Sequence, residues 1–171
     1  MTHVLIVGMT ESGKTTLAKR ICRSFRSKGI KTIVLDPLHD PGWEADLQTA
    51  DQYEFMETAR LSRQCALFID ESGEMIGRYN DAMFWLATRA RHYGHKSHFI
   101  TQRAAQLSKT VRDQCSSLFL FCVSMDDAKV MANEFNRPEL REANTLLRFQ
   151  CFFVSRFGPV QRLNVNRNER A

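Results

Sequence analysis

A glycine-containing segment close to the N-terminus has the spacing of a phosphate-binding loop. It reads Gly8-Met9-Thr10-Glu11-Ser12-Gly13-Lys14-Thr15 and fits G-x-x-x-x-G-K-[ST] at every fixed position. Glycines let such a loop (P-loop) curl so that its N–H groups face phosphate oxygens, and the following helix adds its positive dipole end. Lys14 is predicted to bridge the β- and γ-phosphates and Thr15 to ligate Mg²⁺. We expect ATP to be bound by Gly8, Met9, Thr10, Glu11, Ser12, Gly13, Lys14, Thr15 and Thr16.

Two adjacent carboxylates follow an apolar segment farther along the chain. The segment Leu67–Ile69 is strand-like, and it ends in Asp70 and Glu71. At the C-terminal end of a parallel strand, both side chains can face a nucleotide. Asp70 is then predicted to hold Mg²⁺ through its water shell, and Glu71 to polarise the attacking water. This pair indicates hydrolysis, because an enzyme that phosphorylates an acceptor more often keeps only the metal-binding acid.

Elements able to position these residues can be predicted from the hydrophobic pattern. Strand-like apolar runs alternate with helical stretches, which is typical of an α/β fold with a mainly parallel sheet flanked by helices. The predicted strands are His3–Val7, Lys31–Asp36, Cys65–Asp70, Ser97–Thr101 and Leu118–Val123. The predicted helices are Lys14–Lys28, Asp81–Tyr93 and Asp126–Phe135. A C-terminal β-hairpin is predicted from Leu147–Val154 and Val160–Val165.

Length and composition limit the class of protein. The chain has 171 residues, 43% of them hydrophobic, and a net charge of +5, which is compatible with a nucleic-acid partner. We expect a single domain over residues 1–165 and a polar tail over 166–171. No apolar run is long enough for a membrane segment, so a cytoplasmic protein is expected. The cysteines form no C-x-x-C pair and are expected to be reduced: Cys22, Cys65, Cys115, Cys122 and Cys151.

Further residues resemble the FtsK–HerA group of DNA-pumping ATPases. The resemblance is carried by Ala90–Gly94, by the turn Thr101-Gln102-Arg103 after the next strand, and by the stretch from Leu107 to Ala128. It implies a RecA-like (ASCE) P-loop NTPase core, in which the strand before Gln102 lies between the P-loop strand and the strand of the acidic pair. Gln102 is then expected beside the γ-phosphate, since its amide can donate to a phosphate oxygen and accept from water. Many members carry glycine at the position of Glu11, so this side chain is expected to point away from the phosphates.

The same resemblance implies a homo-oligomeric ring, hexameric or pentameric, in which a neighbouring subunit supplies an arginine to the γ-phosphate. Arg91 matches the position of that arginine best, and Arg89 and Arg78 are substitutes. A guanidinium supplied in trans stabilises the charge of the transition state. The alternative is that Arg91 makes only a surface salt bridge.

A basic stretch between Arg78 and Arg112 suggests where DNA would bind. Such residues can line the channel of a ring and hold phosphates of double-stranded DNA without reading its sequence. Lys109 and Arg112 are the predicted phosphate contacts, and Arg103 is assigned either to DNA or to the nucleotide. The alternative is an ordinary solvated face.

Small stand-alone cores of this kind look like the genome-packaging ATPases of viruses and phages. The expected function is therefore ATP- and Mg²⁺-dependent translocation or packaging of double-stranded DNA, with a portal or capsid protein as a further candidate partner and association with a virion as a further location. Two alternatives stay open. A small P-loop kinase would transfer the phosphoryl group to an acceptor and show no response to DNA. A nucleotide-gated assembly ATPase of the filamentous-phage type would show weak turnover and strong dependence on its partner.

Overall fold

One sheet of eight strands organises the residues that the computed structural model describes, 3–72 and 81–166. The strands are β1 His3–Val7, β2 Thr32–Leu35, β3 Leu47–Thr49, β4 Ala66–Ile69, β5 Lys96–Thr101, β6 Cys115–Leu120, β7 Gln150–Ser155 and β8 Gln161–Asn164. Their order across the sheet is β3-β2-β4-β5-β1-β6-β7-β8. Neighbours from β3 through β6 pair in parallel, whereas β6–β7 and β7–β8 are antiparallel. The predicted α/β class, the mainly parallel sheet and the C-terminal hairpin are confirmed.

Helices cover both faces of this sheet. Within the described residues they are α1 Lys14–Ser27, α2 Gln52–Leu61, α3 Asp81–Thr88, α4 Lys109–Gln114 and α5 Met125–Phe135. Alternate residues of a strand point to opposite faces, so Val4 and Ile6 pack with α1, while Leu5 and Val7 join the core under the other helices. Burial on both faces explains why the parallel strands read as continuous apolar runs.

Three elements were not predicted, and several predicted boundaries were wrong. Strand β3 and helices α2 and α4 lie in stretches that were assigned to no element. For α2 the sequence does carry a helix signal, since Asp51 accepts hydrogen bonds from the N–H groups of Tyr53 and Glu54 at its start. The helix predicted over Asp81–Tyr93 ends at Thr88, and a 3₁₀ turn, Ala90–Tyr93, continues to Gly94. Strand β6 begins at Cys115 rather than Leu118, because pairing with β1 and β7 recruits the polar residues that precede the apolar run.

The strand order brings the ends of three strands together. The P-loop follows β1, the acidic pair follows β4, and Gln102 follows β5, which lies between β1 and β4 as the resemblance implied. Because these strands are parallel, their C-terminal ends meet at one edge of the sheet. Within the described ranges, no helix has the length and apolar character needed to cross a membrane. The predicted single domain stays a prediction, and Arg78 and residues 167–171 of the predicted tail lie outside the described residues.

Candidate active site

The backbone of the P-loop passes so close to its neighbours that two of its glycines cannot be replaced without movement. A Cβ on Gly8 would lie 2.5 Å from the Cβ of Phe121. Gly13 has a φ of +113°, and a Cβ there would lie 2.8 Å from Cδ1 of Phe149. Glu11 also has a positive φ, +62°, and its side chain is exposed. This left-handed conformation gives a physical reason for the glycine that related loops carry at that position.

Lys14 is buried inside the loop, and its Nζ donates a hydrogen bond to the carbonyl oxygen of Met9 over 3.0 Å. Burial lowers the pKa of Lys14, and the negative charges of Glu71 and Asp70 oppose that shift. The lysine therefore lies between the curled backbone of the loop and the acidic pair. A γ-phosphate bound in the loop would offer Lys14 a charged acceptor in place of a neutral carbonyl.

Thr15 and Asp70 form a donor set that suits Mg²⁺. The Oγ1 of Thr15 lies 3.5 Å from Oδ2 of Asp70. Mg²⁺ prefers oxygen ligands and commonly takes one or two from protein, with the rest from water and phosphate. Among residues 3–72 and 81–166, no group of three or more His, Cys, Asp or Glu could hold a metal by itself. A hydroxyl and a carboxylate beside a phosphate-binding loop fit a metal that is bound together with the nucleotide.

The two carboxylates of the acidic pair have different surroundings. Burial raises the pKa of Asp70 to about 6, and the nearby charges of Glu71 and Asp36 add to the shift. The backbone N–H of Glu71, which donates to Oδ1 of Asp70 over 3.0 Å, acts in the opposite direction. Glu71 is half-buried and has a φ of +47°, which is uncommon for a residue other than glycine. Such conformations cluster at functional sites.

Gln102 contacts Glu71 across the ends of β4 and β5. Its Nε2 lies 3.3 Å from Oε2 and 3.5 Å from Oε1 of Glu71. The turn after β4 is tied to β5 by Ser72, whose Oγ donates to the carbonyl oxygen of Ile100 over 2.8 Å. The structure thus brings Gln102 and the acidic pair, which are 31 residues apart in sequence, into one cluster beside the P-loop.

Arg91 lies at the opposite edge of the sheet. It belongs to the 3₁₀ turn before β5, and its positive charge contributes, after burial, to lowering the pKa of His3 to about 4. His3 begins β1, whereas the P-loop follows the end of β1. A strand of five residues spans about 16 Å at roughly 3.3 Å per residue. Arg91 and the nearby Arg89 are both exposed, and Arg91 is too far away to contact a γ-phosphate in its own P-loop.

The three predicted DNA contacts have unlike surroundings. The side chain of Lys109 is 75% exposed and pairs with Asp113 over 3.3 Å. That of Arg103 is 65% exposed, and its Nε lies 3.4 Å from Oδ2 of the buried Asp127. Both cations can reach solvent, and each makes one long hydrogen bond to its acidic partner. Their exposure is compatible with binding an external anion.

Arg112 does not fit its predicted role, and the prediction needs correction. Its side chain is only 10% exposed, and Nε and Nη2 donate to the carboxylate of Glu134 over 2.6 to 2.9 Å. Its Nη1 donates to the carbonyl oxygens of Ala104 and Leu107. The guanidinium therefore joins α4, α5 and the loop after Gln102, and these contacts leave it unavailable to a DNA phosphate.

Two residues beside the P-loop were not predicted as part of the site. The Nε of Arg148 donates to the carbonyl oxygen of Glu11 over 3.1 Å, and the N–H of Phe149 donates to that of Ser12 over 2.8 Å. Together with the loop they line a cavity of about 140 Å³. Nothing in the sequence near Arg148 signals this placement, since the contacts join residues 137 positions apart.

Comparison with protein families matches residues 1–84 to the family described as "Helicase HerA, central domain". This match confirms the resemblance to the FtsK–HerA group that the residues predicted. Comparison with curated proteins gave no match.

Solved structures resemble the chain over nearly its whole length. The genome-packaging NTPase B204 of Sulfolobus turreted icosahedral virus 2, in complex with AMPPCP, has a TM-score of 0.79 at 15% identity over 94% of this chain and 96% of that chain. B204 of Sulfolobus turreted icosahedral virus, described as a DNA-packaging ATPase, has a TM-score of 0.77 at 17% identity, with the same coverage. VirB4 of Thermoanaerobacter pseudethanolicus has a TM-score of 0.75 at 10% identity over 98% of this chain and 90% of that chain. At these identities the likeness shows a shared fold.

Proposed function

We propose that this chain, a P-loop ATPase similar to the FtsK–HerA group, is a motor that moves double-stranded DNA as a homo-oligomeric ring. The observation that supports the proposal is the convergence of a P-loop lysine, a hydroxyl–carboxylate pair suited to Mg²⁺ and a Glu–Gln contact at one edge of the sheet, provided by Lys14, Thr15, Asp70, Glu71 and Gln102. These groups supply what phosphoryl transfer to water requires.

In the proposed reaction, the P-loop holds the triphosphate and Lys14 moves from the Met9 carbonyl to the phosphates. Mg²⁺ held by Thr15 and Asp70 would neutralise charge on the β- and γ-phosphates. Glu71 orients the attacking water and accepts its proton. Gln102 donates from Nε2 to the γ-phosphate, and its contact with the carboxylate of Glu71 links recognition of that phosphate to the position of the base.

Completion of the site by a neighbouring subunit follows from the position of Arg91. Because Arg91 is exposed at the edge of the sheet opposite its own P-loop, it can contribute to hydrolysis only in the site of another subunit. A guanidinium supplied in this way would make turnover depend on assembly. We therefore propose a homo-oligomeric ring, and the resemblance to the FtsK–HerA group favours a hexamer or a pentamer.

For the substrate of the motor we propose double-stranded DNA, held through its phosphates by Lys109 and Arg103. Surface ion pairs contribute only about 0–1 kcal/mol, so a DNA phosphate can displace Asp113 from Lys109 at little energetic cost. The DNA-packaging function stated for the similar B204 protein supports this choice. By the same analogy, a portal or capsid protein is the proposed docking partner in genome packaging.

The test is steady-state ATP hydrolysis by the purified protein at low salt, with and without long double-stranded DNA. We expect DNA to stimulate turnover and Glu71→Gln to abolish it while ATP binding persists, since the amide keeps the shape of the side chain but cannot accept a proton. Lys109→Ala should weaken the stimulation, whereas Lys129→Ala, which removes another exposed lysine, should not. Absence of stimulation over a wide range of protein concentrations would contradict the motor, and phosphorylation of an acceptor would favour a kinase.

A further inference from the structure

We propose that Arg148 and Phe149 bind the nucleoside part of the nucleotide, with the base stacked on the guanidinium plane of Arg148. The inference rests on the proposed nucleotide site. It starts from the cavity of about 140 Å³ beside the P-loop, whose lining residues are Glu11, Gly13, Lys14, Thr15, Thr16, Arg148 and Phe149. One side of this cavity is the phosphate-binding loop with the start of α1, and the other side is provided by Arg148 and Phe149, which lie outside the loop.

The direction of the bound nucleotide can be derived from the loop. A P-loop lysine reaches the β- and γ-phosphates, whereas the backbone N–H groups at the start of the following helix hold the α- and β-phosphates. The α-phosphate would therefore lie near the N–H groups of Thr15 and Thr16. The ribose and base continue outward from it, away from Lys14 and the acidic pair. The outer wall of the cavity is formed by Arg148 and Phe149.

Both residues are attached to the P-loop through its own carbonyl groups. The Nε of Arg148 donates to Glu11 over 3.1 Å, and the N–H of Phe149 donates to Ser12 over 2.8 Å. The guanidinium carbon of Arg148 lies 4.8 Å from the centre of the Phe149 ring. The loop thus fixes the guanidinium on an aromatic support, as a stacking surface for a base requires.

The hydrogen bonds of Arg148 differ from those of the arginines that pack the fold. Arg137 and Arg156 each direct Nη groups to backbone carbonyl oxygens. Among the described contacts, Arg148 uses only Nε, and neither of its Nη groups has an acceptor. Because only Nε of this exposed guanidinium is engaged within the described part of the chain, one planar face remains open for stacking and the Nη groups remain free to donate hydrogen bonds to a ligand.

The test compares two ligands, ATP and inorganic tripolyphosphate, which lacks the ribose and base. Dissociation constants would be measured by calorimetry at one Mg²⁺ concentration for the wild type, Arg148→Ala and Arg148→Lys. Loss of a stacked base should weaken ATP binding about tenfold and change tripolyphosphate binding less than about twofold. Arg148→Lys should show the same selective loss of ATP affinity, because lysine keeps the positive charge but has no planar group on which a base can stack. The control is Arg141→Ala, which removes an exposed arginine outside the cavity and should leave both constants unchanged.

Three outcomes would overturn the inference. Equal weakening of both ligands would mean that Arg148 acts on the phosphates or on the loop itself. If Arg148→Ala bound ATP with wild-type affinity, Arg148 would contact no part of the nucleotide. If only Arg148→Lys bound ATP with wild-type affinity, the charge of Arg148 would suffice and stacking would be excluded. A wild-type protein that binds neither ligand would instead refute the proposed function on which the inference depends.

Discussion

Asp70 and Glu71 are adjacent in sequence, yet the fold gives their carboxylates different properties. Asp70 is 6% exposed and lies within reach of the Thr15 hydroxyl, and its burial penalises the charged form of the carboxylate. Glu71 is half-buried, has a left-handed backbone and contacts the amide of Gln102. The unfavourable environment of one and the uncommon conformation of the other are expected where residues are arranged for chemistry rather than stability.

Asp70→Asn should stabilise the protein in the absence of nucleotide. The pKa of Asp70 is about 6 in the folded protein and 3.8 is its ordinary value, so ionisation of this carboxyl lowers the stability of the fold. The loss of stability is complete above about pH 6 and absent below about pH 3.8. That shift corresponds to about 3 kcal/mol. The free energy of unfolding of Asp70→Asn, measured with urea, should exceed that of the wild type by up to this amount above pH 6.

The difference in stability should shrink as the pH falls from 6 towards 3.8. Asp126→Asn is the control, because Asp126 is 93% exposed and its variant loses a charge without relieving burial. A stability gain for Asp70→Asn that is the same at both ends of this range would show that charge burial is not its cause.

At the scale of elements, the C-terminal hairpin supports the P-loop as well as extending the sheet. Phe149, just before β7, and Phe121, just after β6, both lie where a Cβ on Gly13, before the start of α1, would point. The hydrogen bond from Phe149 to Ser12 connects the same elements. The conformation of the loop is thus determined by segments that are distant in the sequence.

Comparison of Gly13→Ala with Gly29→Ala distinguishes the destabilisation caused by steric contact of a new Cβ from that caused by positive φ alone. Both glycines have positive φ, +113° and +75°, but a Cβ meets Phe149 at 2.8 Å in the first case and nothing within 4 Å in the second. We expect Gly29→Ala to lower stability by roughly 1–2 kcal/mol and Gly13→Ala to lower it further and weaken ATP binding. Thermal unfolding and nucleotide titration measure the two effects, and equal destabilisation would contradict the role given to Phe149.

Arg112 and Lys109 occupy the same helix, but their replacement by alanine should change stability by very different amounts. Arg112→Ala leaves the carboxylate of Glu134, only 12% exposed, and two carbonyl groups without their partner, so a loss of about 3–5 kcal/mol is expected. Lys109→Ala breaks an exposed pair and should change stability by less than about 1 kcal/mol. Urea denaturation of the two variants measures this, and similar values would contradict the structural role of Arg112.

At the scale of the whole molecule, the proposed action of Arg91 depends on the distance between the C-terminal and the N-terminal ends of the parallel strands. The residues of the proposed nucleotide site lie at the C-terminal ends of the parallel strands, and Arg91 precedes the N-terminal end of β5. In the proposed ring, a subunit would carry its own site at one end of the strands and offer Arg91 at the other end to the site of a neighbour. Repetition of that contact closes a ring if the rotation between neighbours allows it.

Mixing two inactive variants tests that arrangement. Arg91→Ala lacks the arginine but keeps Glu71, whereas Glu71→Gln lacks the base but keeps the arginine, so each should hydrolyse ATP poorly by itself. In mixed assemblies, some sites would combine the Glu71 of one subunit with the Arg91 of its neighbour. We expect the mixture to recover a clear fraction of wild-type ATPase activity in a steady-state assay. Mixed activity no higher than the average of the two variants would exclude action of Arg91 in trans.

The P-loop and the acidic pair could be recognised from the sequence because their chemistry depends on short spacings that the chain itself sets. Glycine positions, a lysine and a following threonine already specify how the loop curls, and an apolar strand that ends in two acids indicates where they emerge. The structural core followed from apolar runs in the same way. The position of Gln102 between them came from a family resemblance, which the strand order then supported.

Side chains whose function depends on a distant partner could be assigned only from the tertiary structure. Arg112 belongs to a basic stretch in the sequence, but Glu134 and two carbonyl groups remove it from the surface. Arg148 lies 137 residues from Glu11, and only the pairing of β6 with β7 carries it to the P-loop. The physical reason is that a local spacing determines backbone geometry, whereas burial and long-range hydrogen bonds determine what a charged side chain is free to bind.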